Sequence, residues 1–137
     1  MECIFCKIIK GEIPASKIFE DKDMLCFLDI LPINKGHVLV IPKKHAETVL
    51  QCDSEIWEKL MGRAKVIVGA IKQSLNPDGI NIFVNNGKAA GQEVPHLHIH
   101  VVPRFRNDEQ TFKWKQGKYD DGEMLEVSDK IKKALHA

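Results

Sequence analysis

The sequence contains no apolar run of about 18 residues or more, the length that a membrane-spanning helix requires. It begins without a basic segment followed by an apolar run, so we expect no secretory signal. Its 20 lysine and arginine residues nearly balance 19 aspartate and glutamate residues, for a net charge of +1. This balance provides no general attraction to nucleic acid or to a membrane surface, and we expect neither as a partner.

Cysteine is also scarce. The chain has four cysteines, and without an export signal they argue against a disulfide framework. We therefore expect a reducing, cytoplasmic setting, with a nuclear or organellar one left open. Cys26 and Cys52 have no partner by spacing and are predicted to be ordinary apolar side chains. Cys3 and Cys6 form a Cys-x-x-Cys pair, which could supply half of a tetrahedral zinc site.

Apolar periodicity predicts one α+β domain over residues 1–137, an ordinary length for a single domain. The clearest element is a long helix from Asp53 or Ser54 to Leu75, because apolar residues recur there every three or four positions. Further helices are predicted at Cys3–Lys10 and Gly122–Leu135. Short apolar runs between turns predict the strands Lys17–Glu20, Met24–Leu28, Gly36–Pro42, Ile80–Asn85 and Leu97–Val102, the last ended by Pro103. Such strands beside one dominant helix are typical of an antiparallel sheet.

The polar stretch Arg106–Gly122 separates the last predicted strand from the last predicted helix. It carries three isolated aromatic residues, Phe112, Trp114 and Tyr119. We predict a surface loop whose aromatic rings pack against the body of the domain, with a lid or a dimer contact as the alternative.

Three histidines alternate with apolar residues in the strand predicted at Leu97–Val102 and just before it. Because residues two apart share a face of a strand, His96, His98 and His100 are predicted on one side. Such a row could ligate a metal or supply a nucleophilic imidazole. No aspartate lies near the row to complete a catalytic metal site, and the only histidine after His100 is His136. A small-residue loop, Asn85–Glu93, precedes it and could present N–H groups to phosphate, which favours the nucleophile.

The segment His96–Val102 fits the pattern of the histidine-triad family, in which three histidines alternate with apolar residues and two apolar residues follow. Matching segments span nearly the whole chain: Ile4–Pro14, Phe27–Ile30, Gly36–His45, Ala90–Gln92 and Pro103–Arg104. The chain most resembles the small Hint-like branch of adenosine phosphoramidases and nucleoside-monophosphate hydrolases. The resemblance implies the HIT-like fold, with about five antiparallel strands, one long helix and a C-terminal helix, and it implies a homodimer.

The resemblance also implies a mechanism and its residues. His98 would attack the α-phosphate of a purine, AMP-containing nucleotide and carry the nucleotidyl group, while His100 contacts the phosphate oxygens and His37 faces the triad. Asp29 would bind the ribose hydroxyls. The implied apolar wall around the base comprises Ile4, Phe5, Ile8, Phe27 and Ile30. The implied phosphate side comprises Asn85, Gly91, Gln92, Glu93 and Val94.

Two features qualify what the resemblance implies. The relatives with the best-defined phosphoramidase sites carry a hydroxyl residue where this chain has Glu93, and a carboxylate is a poor donor to phosphate. Zinc-containing relatives complete the cysteine pair with two histidines, which here would be His45 and His96, in a structural site with Cys3 and Cys6. Two alternative functions remain, a diadenosine polyphosphate hydrolase like the Fhit branch and a nucleotide-binding regulatory module with little turnover.

Overall fold

The computed structural model describes residues 2–111 and 113–137. The helices are α1 (Ile4–Ile9), α2 (Ser54–Leu75) and α3 (Glu123–Leu135). Short 3-10 turns lie at Val49–Gln51 and Lys88–Ala90. The strands are β1 (Lys17–Glu20), β2 (Met24–Leu28), β3 (Val38–Pro42), β4 (Gly79–Val84) and β5 (Ile99–Arg104).

The five strands form one antiparallel sheet in the order β1-β2-β3-β5-β4. Strand β5 is therefore interior, with β3 on one side and β4 on the other. Its pairing sets Leu39 opposite His100 on the β3 side and Phe83 opposite the same histidine on the β4 side. This register gives His100, the last histidine of the row, a neighbour from each of two strands. The α+β fold with a five-stranded antiparallel sheet is confirmed.

The sheet is buried on both faces, each by one helix. On one face Leu60, Ala64, Ile67 and Ile71 of α2 pack against a cluster that includes Leu97, Ile99 and Val101. On the other face Phe5 and Ile8 of α1 pack against Leu25, Phe27, Leu39 and Ile41. The apolar residues between the histidines thus face α2, as the alternation predicts, and the histidines lie on the α1 side.

The last strand differs from its prediction at both ends. It begins at Ile99 rather than Leu97, because the Leu97 N–H donates to the Ala46 carbonyl in a loop (2.7 Å) instead of to a sheet partner. His96 and His98 therefore precede the strand. At the other end Pro103 lies within it, since its carbonyl faces Asn34 (2.9 Å) beyond the end of β3. No ladder partner there requires an N–H from proline.

The C-terminal helix lies on the outside of the domain. It has no buried residue, and Met124, Leu125 and Ile131 are among its exposed apolar side chains. In the stretch before it Phe112 lies outside the described residues, and Trp114 and Tyr119 are largely exposed rather than packed into the body. Among the described residues, no helix is both long and apolar enough to cross a membrane.

Candidate active site

A cavity of about 770 Å³ lies on the α1 face of the sheet, beside the histidine row. A volume of this order is typical of a pocket for a nucleotide-sized ligand. Its lining includes most of the residues predicted for catalysis and nucleotide binding: Ile4, Phe5, Ile8, Phe27, Asp29, Ile30, His37, Asn85, Gly91, Glu93, Val94, His98 and His100. The fold therefore gathers residues from the N-terminal helix, from strands β2, β3, β4 and β5 and from the loops between them around one cavity.

His98 lies against the floor of the cavity with one ring nitrogen tied to the backbone. Its Nδ1 donates to the His96 carbonyl oxygen at 2.7 Å. Because a carbonyl only accepts, this bond places the ring proton on Nδ1 and leaves the lone pair on Nε2. Burial lowers the pKa of His98, and the edge-on Phe5 ring, 5.2 Å between centroids, contributes to that burial. The result is a neutral imidazole whose Nε2 keeps its lone pair.

His100 belongs to a chain of hydrogen bonds with a defined direction. The Ile33 backbone N–H donates to His37 Nδ1 at 3.1 Å, so the neutral ring of His37 carries its proton on Nε2. That Nε2 donates to His100 Nδ1 at 2.9 Å. His100 therefore holds its own proton on Nε2, where it can be donated to an oxygen. Burial lowers the pKa of both rings, that of His100 to about 3, so the His37 and His100 rings are neutral near pH 7.

Two residues that contact His37 and His100 were not predicted from the sequence. Phe83 stacks on His100 with ring centroids 4.3 Å apart and an interplanar angle of 11°. Residues two apart in a strand share a face, so Phe83 lies on the face of Asn81, but only the strand order makes it the cross-strand neighbour of His100. Ile33 acts through its backbone N–H, which no side-chain pattern could indicate.

Asp29 lies at the end of β2, within reach of the histidines. One carboxylate oxygen accepts from the Leu31 N–H at 2.9 Å, and the other is 3.8 Å from His37 Nδ1. Its charge raises the pKa of His37 but does not offset the larger effect of burial. Ile30, next to it, lines the cavity while being 90% exposed, so it lies at the mouth of the cavity.

The loop before the histidines contains the one predicted binding residue that does not line the cavity. Gln92 is 7% exposed, and its side chain is used within the protein. Its Oε1 accepts from the Gly87 N–H, and its Nε2 donates to the carbonyls of Glu47 and Val94. These bonds stabilise the loop from behind, and its neighbours Gly91, Glu93 and Val94 line the cavity instead.

A second polar cluster joins α1 to the start of the histidine row. Cys3 Sγ lies 3.3 Å from His96 Nδ1, and Cys6 Sγ lies 3.4 Å from His45 Nδ1. The two Nδ1 atoms are 3.1 Å apart, and Cys6 Sγ lies 3.6 Å from His96 Nδ1. His96 Nε2 donates to the Pro42 carbonyl at 2.9 Å, which leaves the Nδ1 lone pair directed at the cluster. Four metal-ligating side chains thus converge, as the sequence resemblance implied.

Comparison with known proteins identifies the family. A sequence model of the HIT domain matches residues 10–107. The chain belongs to the HIT family. The adenosine 5'-monophosphoramidase of Schizosaccharomyces pombe is 43% identical over 76% of this chain and 75% of its own length.

Solved HIT structures share the fold described here. A member of the HIT family from Bacillus subtilis has a TM-score of 0.90 and 40% identity, covering 97% of this chain and 96% of that one. A zinc-bound histidine triad family protein from Mycobacterium smegmatis has a TM-score of 0.77 and 38% identity, covering 98% of both chains.

Proposed function

We propose that this HIT protein is a nucleotide hydrolase that cleaves adenosine phosphoramidates at the α-phosphate through a nucleotidyl-His98 intermediate. The observation that carries the proposal is the hydrogen bond from His98 Nδ1 to the His96 carbonyl, which leaves a neutral Nε2 in a nucleotide-sized cavity. Neutral imidazole is a good nucleophile near pH 7. The 43% identity to a monophosphoramidase supports the same class of substrate.

The reaction follows from the two fixed tautomers. His98 Nε2 attacks the α-phosphorus and the P–Nε2 bond forms. The P–N bond breaks, and the leaving nitrogen, which has taken a proton from solvent, departs as a neutral amine. His100 Nε2–H donates to a phosphoryl oxygen and stabilises its developing negative charge. Water then attacks the same phosphorus and releases a proton to solvent, the P–Nε2 bond breaks, and AMP leaves with neutral His98 restored. One water is consumed per turnover, and each step uses a nucleophile held in place.

The nucleoside half of the substrate would occupy the apolar side of the cavity. Asp29 supplies a carboxylate for the ribose hydroxyls, and the ring edges of Phe5 and Phe27, 5.6 Å apart between centroids, border the place for the base. The remaining apolar wall, Ile4, Ile8 and Ile30, excludes water from the purine. Asn85, Gly91, Glu93 and Val94 would border the phosphate side, with Gln92 supporting their loop.

The negative charge of Glu93 influences which leaving group the site accepts. Glu93 is exposed at the cavity, and its carboxylate raises the pKa of His98, against the larger effect of burial. A carboxylate that lines the same cavity as His98 disfavours an anionic leaving group such as a nucleoside polyphosphate. It favours a neutral or cationic amine. This observation ranks a phosphoramidate above a diadenosine polyphosphate as substrate.

Rapid chemical quench tests the covalent step. Wild-type protein mixed with adenosine 5'-phosphoramidate and quenched within the first turnover should yield an acid-labile, base-stable adenylyl group on the peptide that contains His98. His98→Ala should yield no adduct, while the control His136→Ala, on the exposed end of the chain, should behave as wild type. Wild-type protein that binds AMP without releasing it from any adenylyl substrate would favour the regulatory module instead.

We further propose a structural zinc ion held by Cys3, Cys6, His45 and His96. A tetrahedral site with zinc–sulfur and zinc–nitrogen bonds of ordinary length has edges of roughly 3.3–3.8 Å. Four of the six pairs of ligand atoms here lie 3.1–3.6 Å apart, and all six lie within 4.8 Å. The Pro42 carbonyl orients His96 for ligation. With four protein ligands the ion has no open position for water, so it would tie α1 to the histidine row. The thiolates require the reducing, cytoplasmic setting that we propose.

A homodimer is the remaining part of this proposal. A 13-residue helix in water is marginally stable by itself, yet α3 leaves Met124, Leu125, Ile131 and Leu135 exposed. A second copy of the chain would cover that face. Light scattering at micromolar concentration should give twice the 15.5 kDa chain mass. A single-chain mass would contradict the proposal.

A further inference from the structure

Asp108, outside the cavity, is the centre of a dense set of hydrogen bonds. Its side chain is 8% exposed. The carboxylate accepts from Arg104 at 2.8 and 3.1 Å, from the N–H groups of Phe105 and Gln110 at 3.0 Å each, and from Asn34 Nδ2 at 2.9 Å. These donors hold the pKa of Asp108 well below its usual range. Asp108 is therefore a rigid anchor just after β5.

The anchor is connected to the turn that precedes β3. Asn34 Nδ2 bonds both Asp108 and the Pro103 carbonyl, each at 2.9 Å. Gln110 Nε2 donates to the Ile33 carbonyl at 3.1 Å. Two successive residues of the turn, Ile33 and Asn34, are thus held from the same side. The turn closes on itself as well, since the His37 N–H donates to the Asn34 carbonyl at 3.1 Å.

This turn supplies the hydrogen bond that determines which nitrogen of His37 donates to His100. The Ile33 N–H donates to His37 Nδ1, and that bond places the His37 proton on Nε2, facing His100. If the turn moved, His37 Nδ1 would lose its donor and could take the proton. His37 Nε2 would then accept, His100 would hold its proton on Nδ1, and a lone pair on His100 Nε2 would face the phosphate oxygens. The same two rings would oppose the developing charge.

We propose that Asp108 is a positioning residue that acts through Asn34 and the Ile33 N–H. It keeps His37 in the tautomer that donates to His100, and thereby keeps His100 in the tautomer that donates to phosphate. The inference rests on the role proposed above for His100. Arg104 shares the task by pairing with Asp108 and by donating to Asn81 Oδ1 at 2.8 Å. Asp108, Asn34 and Arg104 are not among the residues that line the cavity, so they act without touching substrate.

Two substitutions test the connection at different points. Asn34→Ala removes the bonds from Asn34 to Asp108 and to the Pro103 carbonyl and leaves the Arg104–Asp108 pair and the Gln110–Ile33 bond in place. Asp108→Asn weakens the anchor itself. Each should lower kcat for adenosine phosphoramidate by about 10- to 100-fold, because a small misplacement far from the reaction centre has effects of this size. The Kd for AMP, measured by calorimetry, should stay within about twofold of wild type. A merely destabilised protein would lose affinity and activity together.

The control is Asp78→Ala. Asp78 Oδ2 also accepts from a backbone N–H beyond β5, that of Arg106 at 2.8 Å, but it has no bond to the turn at Ile33 and Asn34. Its kcat should equal that of wild type. Equal losses in Asp78→Ala and Asn34→Ala would overturn the inference, and so would an unchanged kcat in Asn34→Ala.

Nitrogen-15 NMR of the imidazole rings tests the tautomers directly, and its measurement on wild-type protein does not depend on the folding of a variant. In wild-type protein His37 and His100 should each carry the proton on Nε2, and in Asn34→Ala the His37 spectrum should shift toward the Nδ1–H form. A wild-type His37 with its proton on Nδ1 would refute the inference. Wild-type protein that shows the expected tautomers but cleaves no adenylyl substrate would refute the proposed function instead.

Discussion

Burial of neutral histidines makes the stability of this protein depend on pH, and His100 allows the effect to be calculated. Its pKa is lowered from 6.5 to about 3 by burial. Between these two values the unfolded chain binds a proton that the folded chain does not, so the free energy of unfolding falls as pH decreases. The slope is about 1.4 kcal/mol per pH unit for one such group. From pH 7 to pH 4.5 His100 alone should remove about 2.5 kcal/mol.

The assay is urea unfolding at pH 7, 6, 5 and 4.5 for wild type, His100→Asn and His136→Asn. His100→Asn should lose roughly 2–3 kcal/mol less than wild type over this range, whatever its stability at pH 7. His136→Asn, which removes an exposed histidine at the end of α3, should follow wild type. Staying above pH 4.5 avoids the titration of Asp108, whose lowered pKa affects stability only at lower pH. Equal slopes in wild type and His100→Asn would refute the reasoning that burial keeps His100 neutral in the folded protein.

Four further predictions concern the cavity and the zinc site. His98→Ala should lower kcat by several orders of magnitude and retain AMP affinity in calorimetry, because the ring supplies the nucleophile and little of the pocket. Asp29→Ala should weaken AMP binding by about 1–3 kcal/mol in the same assay, the usual scale for losing a charged acceptor; unchanged affinity would mean the ribose is placed wrongly. Glu93→Gln should raise kcat/KM for diadenosine triphosphate relative to adenosine phosphoramidate about tenfold, and an unchanged ratio would exclude its role in leaving-group choice. Cys3→Ser should lower zinc content and melting temperature first, with turnover kept while the domain stays folded; chelation that stops turnover of folded protein without any His98 adduct would indicate a metal-dependent hydrolase.

Local sequence was sufficient where a property repeats along one element. The alternation from His96 to Val101 predicted which side chains face the α2 core, because successive residues of extended backbone point to opposite sides. The apolar stripe of α2 predicted a helix to Leu75, and the observed helix ends there. Both results depend on neighbours in sequence and on a backbone geometry that tertiary contacts leave unchanged.

Element ends and loop side chains were harder to predict, since their partners are distant in sequence. Leu97 is extended but unpaired in the sheet because the Ala46 carbonyl takes its N–H. Pro103 stays within β5 because β3 begins only at Val38, opposite Val101, and does not extend beside Pro103. Gln92 matches the position of a phosphate-contacting amide, yet in this chain Glu47 and Val94 take its donor hydrogens. None of these partners can be inferred from the residues themselves.

The sequence by itself determined the set of reactive groups: a histidine row, a cysteine pair with two candidate histidine partners, and an acidic residue beside an apolar segment. Tertiary structure decided the protonation pattern of those groups. His37 meets His100 across 63 residues, and Asn34 meets Asp108 across 74. The two tautomers of a histidine have the same molecular formula, and the amino-acid sequence does not distinguish them. Which nitrogen donates is set by the group opposite it, and only the folded chain places the Ile33 N–H and the His96 carbonyl there.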